Sequence, residues 1–165
     1  MSEAASIAIS ARLDGGAPAT VLALHCGERG PRGAFDELIG AVAPGSPLER
    51  IVIPGGAWWL AQAAELTEGR IKRIVLGGRH PVRDVMDSFL DSSALELVVL
   101  AGHQGCSWYR RRYPRHSAGE LVREQGADML RARDEVERWA GRRLAVTGWI
   151  LLADASGQAS GRRLF

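Results

Sequence analysis

The sequence predicts a single α/β domain with a mostly parallel central sheet flanked by helices. Two observations carry this expectation. Short apolar runs of strand length alternate along the chain with segments whose apolar residues recur at helical spacing. The strongest run, residues 95–101 (LELVVLA), is apolar at nearly every position, as expected of a central strand covered on both faces.

Taken in order, residues 1–19 are small, polar and glycine-bearing. They read as a flexible N-terminal arm ahead of one domain over 20–165. Residues 20–25 (TVLALH) form a first strand ending at Cys26. Pro31 suits a first helical position, and Phe35, Leu38, Ile39 and Val42 give the following helix an apolar face. Pro44, Gly45 and Pro47 stop it. Residues 50–53 read as a second strand, halted by Pro54-Gly55-Gly56, with a helix over 58–66 beyond. A third strand is expected over 71–76 (IKRIVL), closed by Gly77-Gly78. Pro81 opens another helix with Val82, Val85, Met86, Phe89 and Leu90 on one face, and the apolar run 95–101 is the fourth strand. Ser117 and Glu120 form a capping-box pattern ahead of a long helix. Its inner face is expected to be Ala118, Val122, Met129, Ala132, Val136 and Trp139, with its arginines and glutamates in water. Residues 144–152 read as a last long strand, and the turn Asp154-Ala155-Ser156-Gly157 folds 159–165 back as a hairpin or edge.

With 165 residues, 46% of them hydrophobic, the chain is long enough for one domain with a sizeable core. The net charge is +2, and of 21 basic residues only Lys72 is lysine. The arginine excess is either compositional bias or an attraction for anions. No basic stretch followed by an apolar run stands at the N-terminus, so no signal peptide is expected. No apolar run approaches the roughly 20 residues that a membrane helix needs. Two cysteines, Cys26 and Cys106, do not make a disulfide scaffold. In a reducing cytoplasm, the expected location, they are either buried small hydrophobes or metal ligands.

Ligands of open parallel sheets bind beyond the carboxyl ends of the strands. Two segments place metal-capable side chains there: His25-Cys26 after the first strand and Gly102-His103-Gln104-Gly105-Cys106 after the fourth. A histidine and a cysteine three residues apart can face one point when glycine loosens the loop between them. Two cysteines and one histidine leave a tetrahedral zinc one ligand short, as a catalytic zinc requires. The plain alternative is two buried cysteines and a loop histidine. His25 points to the opposite side of its strand from Cys26 and reads as a packing residue or a support for the site, while His80 and His116 sit beside prolines in surface loops. The run Arg110-Arg111-Arg112 between Tyr109 and Tyr113 has the composition of a nucleic-acid contact, but a run this short reads better as a solvated helix end. No nucleic-acid partner is therefore expected.

These residues resemble the β-class carbonic anhydrases, which carry a strand ending in a zinc cysteine and later a Gly-His-x-x-Cys strand end. Residues 22–26 resemble the first element and 102–106 the second; Gly148-Trp149-Ile150 and the turn 154–157 resemble the family's closing strand and turn. The resemblance spans roughly residues 20–160. It implies a β-carbonic-anhydrase-like fold, one Zn2+ held by Cys26, His103 and Cys106, and reversible hydration of carbon dioxide to bicarbonate by hydroxide generated at the metal. It also implies assembly into a homodimer or larger homo-oligomer. The family's Asn-Ala-Gly type turn beside the substrate corresponds to Gly55 and Gly56 or to Gly77-Gly78; the first is favoured because it follows a strand and leads into an apolar helix. Trp58, Trp59 or Trp108 either lines an apolar substrate pocket or belongs to the core.

The family places Asp two residues after the zinc cysteine and Arg two further on; here those positions hold Glu28 and Gly30, with Arg29 and Arg32 displaced. Glu28 either closes the metal as a fourth ligand or pairs with a neighbouring arginine, Arg29 being favoured, and leaves a position for water. Three functions follow from that choice: an active hydratase using Glu28 and Arg29, a zinc-binding pseudoenzyme or scaffold subunit, and a hydrolase of another small heterocumulene.

Overall fold

Five of the six residues of β1 (Thr20–His25) are buried, so an apolar run with no polar alternation becomes an interior strand. This is seen in a computed structural model that describes residues 20–62, 81–91 and 94–165. The expected arm 1–19, the strand over 71–76, the Gly77-Gly78 turn, His80 and the far part of the helix 58–66 lie outside the described residues.

The remaining elements follow in order: α1 (Arg32–Val42), β2 (Leu48–Val52), α2 (Trp58–Ala61), α3 (Pro81–Leu90), β3 (Leu95–His103), α4 (Ser107–Arg112), α5 (Ala118–Ala140), β4 (Ala145–Ala153) and β5 (Ala159–Arg163). The described strands form one sheet in the order β2-β1-β3-β4-β5. β1 to β4 run parallel, and β5 returns antiparallel to β4 through the expected turn at Asp154. That turn is tied by Asp154, whose carboxylate accepts from the backbone N–H of Ser156 and Gln158.

The strand pleat divides the core into two layers. Leu22, Leu24, Val98, Leu100 and Ile150 face α2, α3 and α5, while Val21, Ala23, Leu97, Val99 and Leu151 face α1 and α4. α1 buries Phe35, Leu38, Ile39 and Val42, the four positions its spacing marks. Pro31 stands one residue before the helix, at its N-cap.

Two helices differ in detail from their sequence patterns. On α3, Val82, Met86 and Leu90 are buried, but Val85 is 45% exposed, because a short helix on one sheet face covers a narrower stripe than five apolar residues span. On α5 the capping box forms as expected between Ser117 and Glu120. Its buried face, however, holds Leu121, Gln125, Asp128 and Glu135 beside Val122, Met129, Ala132 and Val136, while Ala118 is exposed. Asp128 accepts from the Tyr109 hydroxyl at 2.7 Å and pairs with Arg131, and one oxygen of Glu135 pairs with Arg138 while the other is buried without a partner among the described residues. Tyr109 is thereby sealed in the core, its ionisation opposed by burial and by the neighbouring Asp128, and is not a stacking platform for a base. No described helix is long and apolar enough to cross a membrane.

Candidate metal centre

β1 and β3 are adjacent, and both run out at the same edge of the sheet, with His25 opposite Ala101. Cys26 therefore emerges beside the loop that carries His103 and Cys106. The Cys26 and Cys106 sulfurs lie 3.7 Å apart without a disulfide, and both residues are buried. Gly105, at φ +78, makes the turn that brings Cys106 back towards His103. Glu28 reaches the same point from the other loop. One ligand atom from each of Cys26, Glu28, His103 and Cys106 lies within 4.8 Å of the others.

His103 is aimed at this point by its backbone. Its Nδ1 lies 3.1 Å from the carbonyl of Gln104, which places the ring proton there and leaves the lone pair on Nε2. Nε2 is buried with no hydrogen-bond partner, 3.8 Å from Glu28 Oε2.

The turn Pro54-Gly55-Gly56 rests on the end of β1. Gly56 adopts φ +50, and a Cβ there would stand 3.2 Å from the Cys26 backbone nitrogen. Gly55, at φ +83, lies beneath the Trp108 indole, where a Cβ would come within 2.4 Å of the ring. Trp58, Trp59 and Trp108 pack together beyond it with ring centroids 5.1–5.6 Å apart, and Arg112 lies 4.3 Å over Trp58. On the opposite side a solvent-open cavity of about 600 Å³ reaches His103 between the start of α1 and the β4–β5 turn, with Gly30 and Gln104 in its wall.

The charges at the centre are uneven. The Cys106 thiol hydrogen bond pushes Cys26 down to about 4; burial opposes this, and His103 with the backbone N–H groups of Gly55 and Glu28 reinforces it. Cys106 is correspondingly pushed up, by that same bond and by burial. Burial works against charge on His103, but the Cys26 sulfur and Glu28 outweigh it and raise its pKa. Burial likewise opposes ionisation of Glu28, and the Ser107 contacts more than offset it, so its carboxyl is held below the ordinary value.

Arg29 does not pair with Glu28. Its side chain is exposed, whereas Glu28 Oε1 is already taken by the backbone N–H of Ser107 at 2.5 Å. The pairing expected from adjacency in sequence fails because Glu28 turns inward and Arg29 outward on the same loop. The Ser107 contact has no sequence signal, being a backbone group. His25 lies on the α1 side of the sheet with its ring 4.6 Å from Phe35 and its Nδ1 3.0 Å from the Cys26 carbonyl. His116 sits on the surface beside Tyr113 and Glu124.

No family model and no curated protein sequence matches the chain. Solved structures do. A β-carbonic anhydrase of Aspergillus fumigatus, CafA, superposes with a TM-score of 0.52 at 13% identity, over 93% of this chain and 79% of that one. CafD of the same fungus gives 0.51 at 17% identity over 95% and 94%. A tetrameric β-carbonic anhydrase of Sordaria macrospora gives 0.51 at 12% identity over 89% and 82%. The fold is that of the β-carbonic anhydrases. At these identities the likeness concerns the β-carbonic anhydrase fold alone, and the chemistry rests on the side chains.

Those side chains fit a zinc ion. Two sulfurs and an imidazole nitrogen are the donors zinc favours, and an orphaned buried Nε2 costs stability unless something binds it.

Proposed function

We propose that this chain holds one zinc ion through Cys26, His103 and Cys106 and catalyses the reversible hydration of carbon dioxide. The observation that supports this reading is the convergence of the two sulfurs and the unpartnered His103 Nε2 on one buried point. Zinc held by such a set supplies the Lewis acidity that makes water a nucleophile near pH 7.

The chain's own groups divide the remaining work. Ser107 fixes one oxygen of Glu28, so Oε2 remains to accept a hydrogen from the attacking water. In this proposal Ser107 takes the anchoring part expected of Arg29. The Gly55-Gly56 turn, packed closely against Cys26 and Trp108, forms the wall of the site on which the substrate is proposed to lie, and the adjoining tryptophans exclude water. The solvent-open cavity lined by His103 and Gln104 lies next to the site. Because one matching structure is described as tetrameric, a homo-oligomer is part of the proposal. So is a cytoplasmic location.

A second reading has one observation in its favour: Glu28 lies within the ligand cluster itself. As a fourth ligand it would exclude water and leave a zinc-binding pseudoenzyme. Stopped-flow measurement of carbon dioxide hydration by the zinc-loaded protein between about pH 7 and 9 decides between them. Turnover above the buffer rate supports the hydratase, and none at any pH in that range, with zinc bound, supports the closed site.

A further inference from the structure

The long helix α5 carries a glutamine where an amphipathic pattern calls for an apolar residue. Gln125 is 2% exposed and faces the sheet among Val122, Met129 and Ala132. Its side-chain amide meets the backbone of His103 on both sides. Oε1 accepts from the His103 N–H at 3.1 Å, and Nε2 donates to the His103 carbonyl at 3.1 Å. A further contact from Nε2 to the Leu121 carbonyl at 3.4 Å ties the amide to its own helix.

The reason for this pairing lies in the sheet. The β1–β3 ladder ends at His25 opposite Ala101, so β1 offers no partner to the backbone of His103. Those groups are buried, and left unpaired they would destabilise the end of the strand. The Gln125 amide replaces the missing strand with one donor and one acceptor. Gly102 makes room for it: a Cβ at that position would stand 2.5 Å from Gln125 Oε1 and 2.7 Å from Met129 Cε.

We infer that Gln125 is a positioning residue for the metal site, fixing the backbone of His103 so that Nε2 meets the two sulfurs. The inference rests on the zinc reading above. His103 stands at the last residue of its strand, where the ladder on one side has already stopped, so its ring orientation depends on two anchors. One is the Gln104 carbonyl on Nδ1, and the other is the Gln125 clamp on the main chain.

The test is zinc affinity by chelator competition on the full chain, together with the absorption spectrum of the cobalt-substituted protein. Gln125→Met keeps the length and removes both hydrogen bonds; zinc binding should weaken by about 10- to 100-fold and the cobalt bands should shift. Gln125→Glu, a buried carboxyl that when protonated again offers one donor and one acceptor, should recover most of the affinity and the wild-type spectrum. Val136→Ala, in the core further along the same helix, should lower the melting temperature without moving either metal readout. Wild-type affinity and spectrum in Gln125→Met, with zinc bound by the wild type, would overturn this inference alone. A wild type that binds no zinc would remove the metal reading and this inference with it.

Discussion

Glu28 Oε2 faces His103 Nε2 across 3.8 Å, while its other oxygen is held by the Ser107 N–H. One side chain is thus bound to the loop that carries both distal ligands and directed at the point where they converge. Glu28→Gln retains an oxygen for Ser107 and removes the charge. In the hydratase reading, carbon dioxide hydration falls on the order of a hundredfold with zinc content unchanged. If Glu28 closes the metal instead, the same substitution raises hydration or lowers zinc content, so the direction of the change identifies the role.

Arg29 gives the complementary test. Its side chain is exposed and does not reach Glu28, so Arg29→Ala should leave hydration within about twofold of wild type and the melting temperature nearly unchanged. A loss comparable to that of Glu28→Gln, measured in the same stopped-flow assay, would return Arg29 to the site.

Zinc uptake should be coupled to proton release. In the metal-free protein the Cys26–Cys106 hydrogen bond pushes one thiol down and the other up, and His103 is raised. Protons on Cys106 and His103 compete with the metal, so affinity rises with pH and each displaced proton contributes a tenfold gain per pH unit. Titration of metal-free protein with zinc in weak buffer at about pH 7 should release one to two protons per zinc. The thiols should react freely only after chelation and denaturation.

Gly55 combines a positive φ with direct contact to the Trp108 ring. Gly55→Ala meets both the left-handed backbone and the indole, and is expected to cost about 1–3 kcal/mol. Thermal unfolding checks this. Gly30→Ala, whose Cβ would meet nothing within 4 Å, is the matched substitution that should be tolerated.

Tyr109→Phe removes the hydroxyl that satisfies one oxygen of the fully buried Asp128. A loss of about 1–3 kcal/mol is expected in denaturant unfolding. The wild-type zinc content should be retained, since Tyr109 supplies no ligand.

Much of this was legible in the chain because strand ends leave plain marks. The apolar run 20–25 becomes β1 with the bounds its composition suggests, and Cys26 and His103 follow from where two such runs stop. Residues that act through backbone groups left no mark: Ser107 offers its N–H, and no side-chain pattern distinguishes that from any helix start. Gln125 did leave a signal, a polar residue on the apolar stripe between Val122 and Met129, and so did Asp128 and Glu135. Reading α5 as a purely apolar face hid all three. The Glu28–Arg29 pairing failed for a different reason, because neighbours in an irregular loop have no obligation to point the same way.

Metal analysis of purified protein that has never met a chelator tests the central claim most directly. About one zinc per chain is expected in the wild type, and little or none after Cys106→Ser. A wild type without metal, or full zinc retention in both Cys26→Ser and Cys106→Ser, would contradict it.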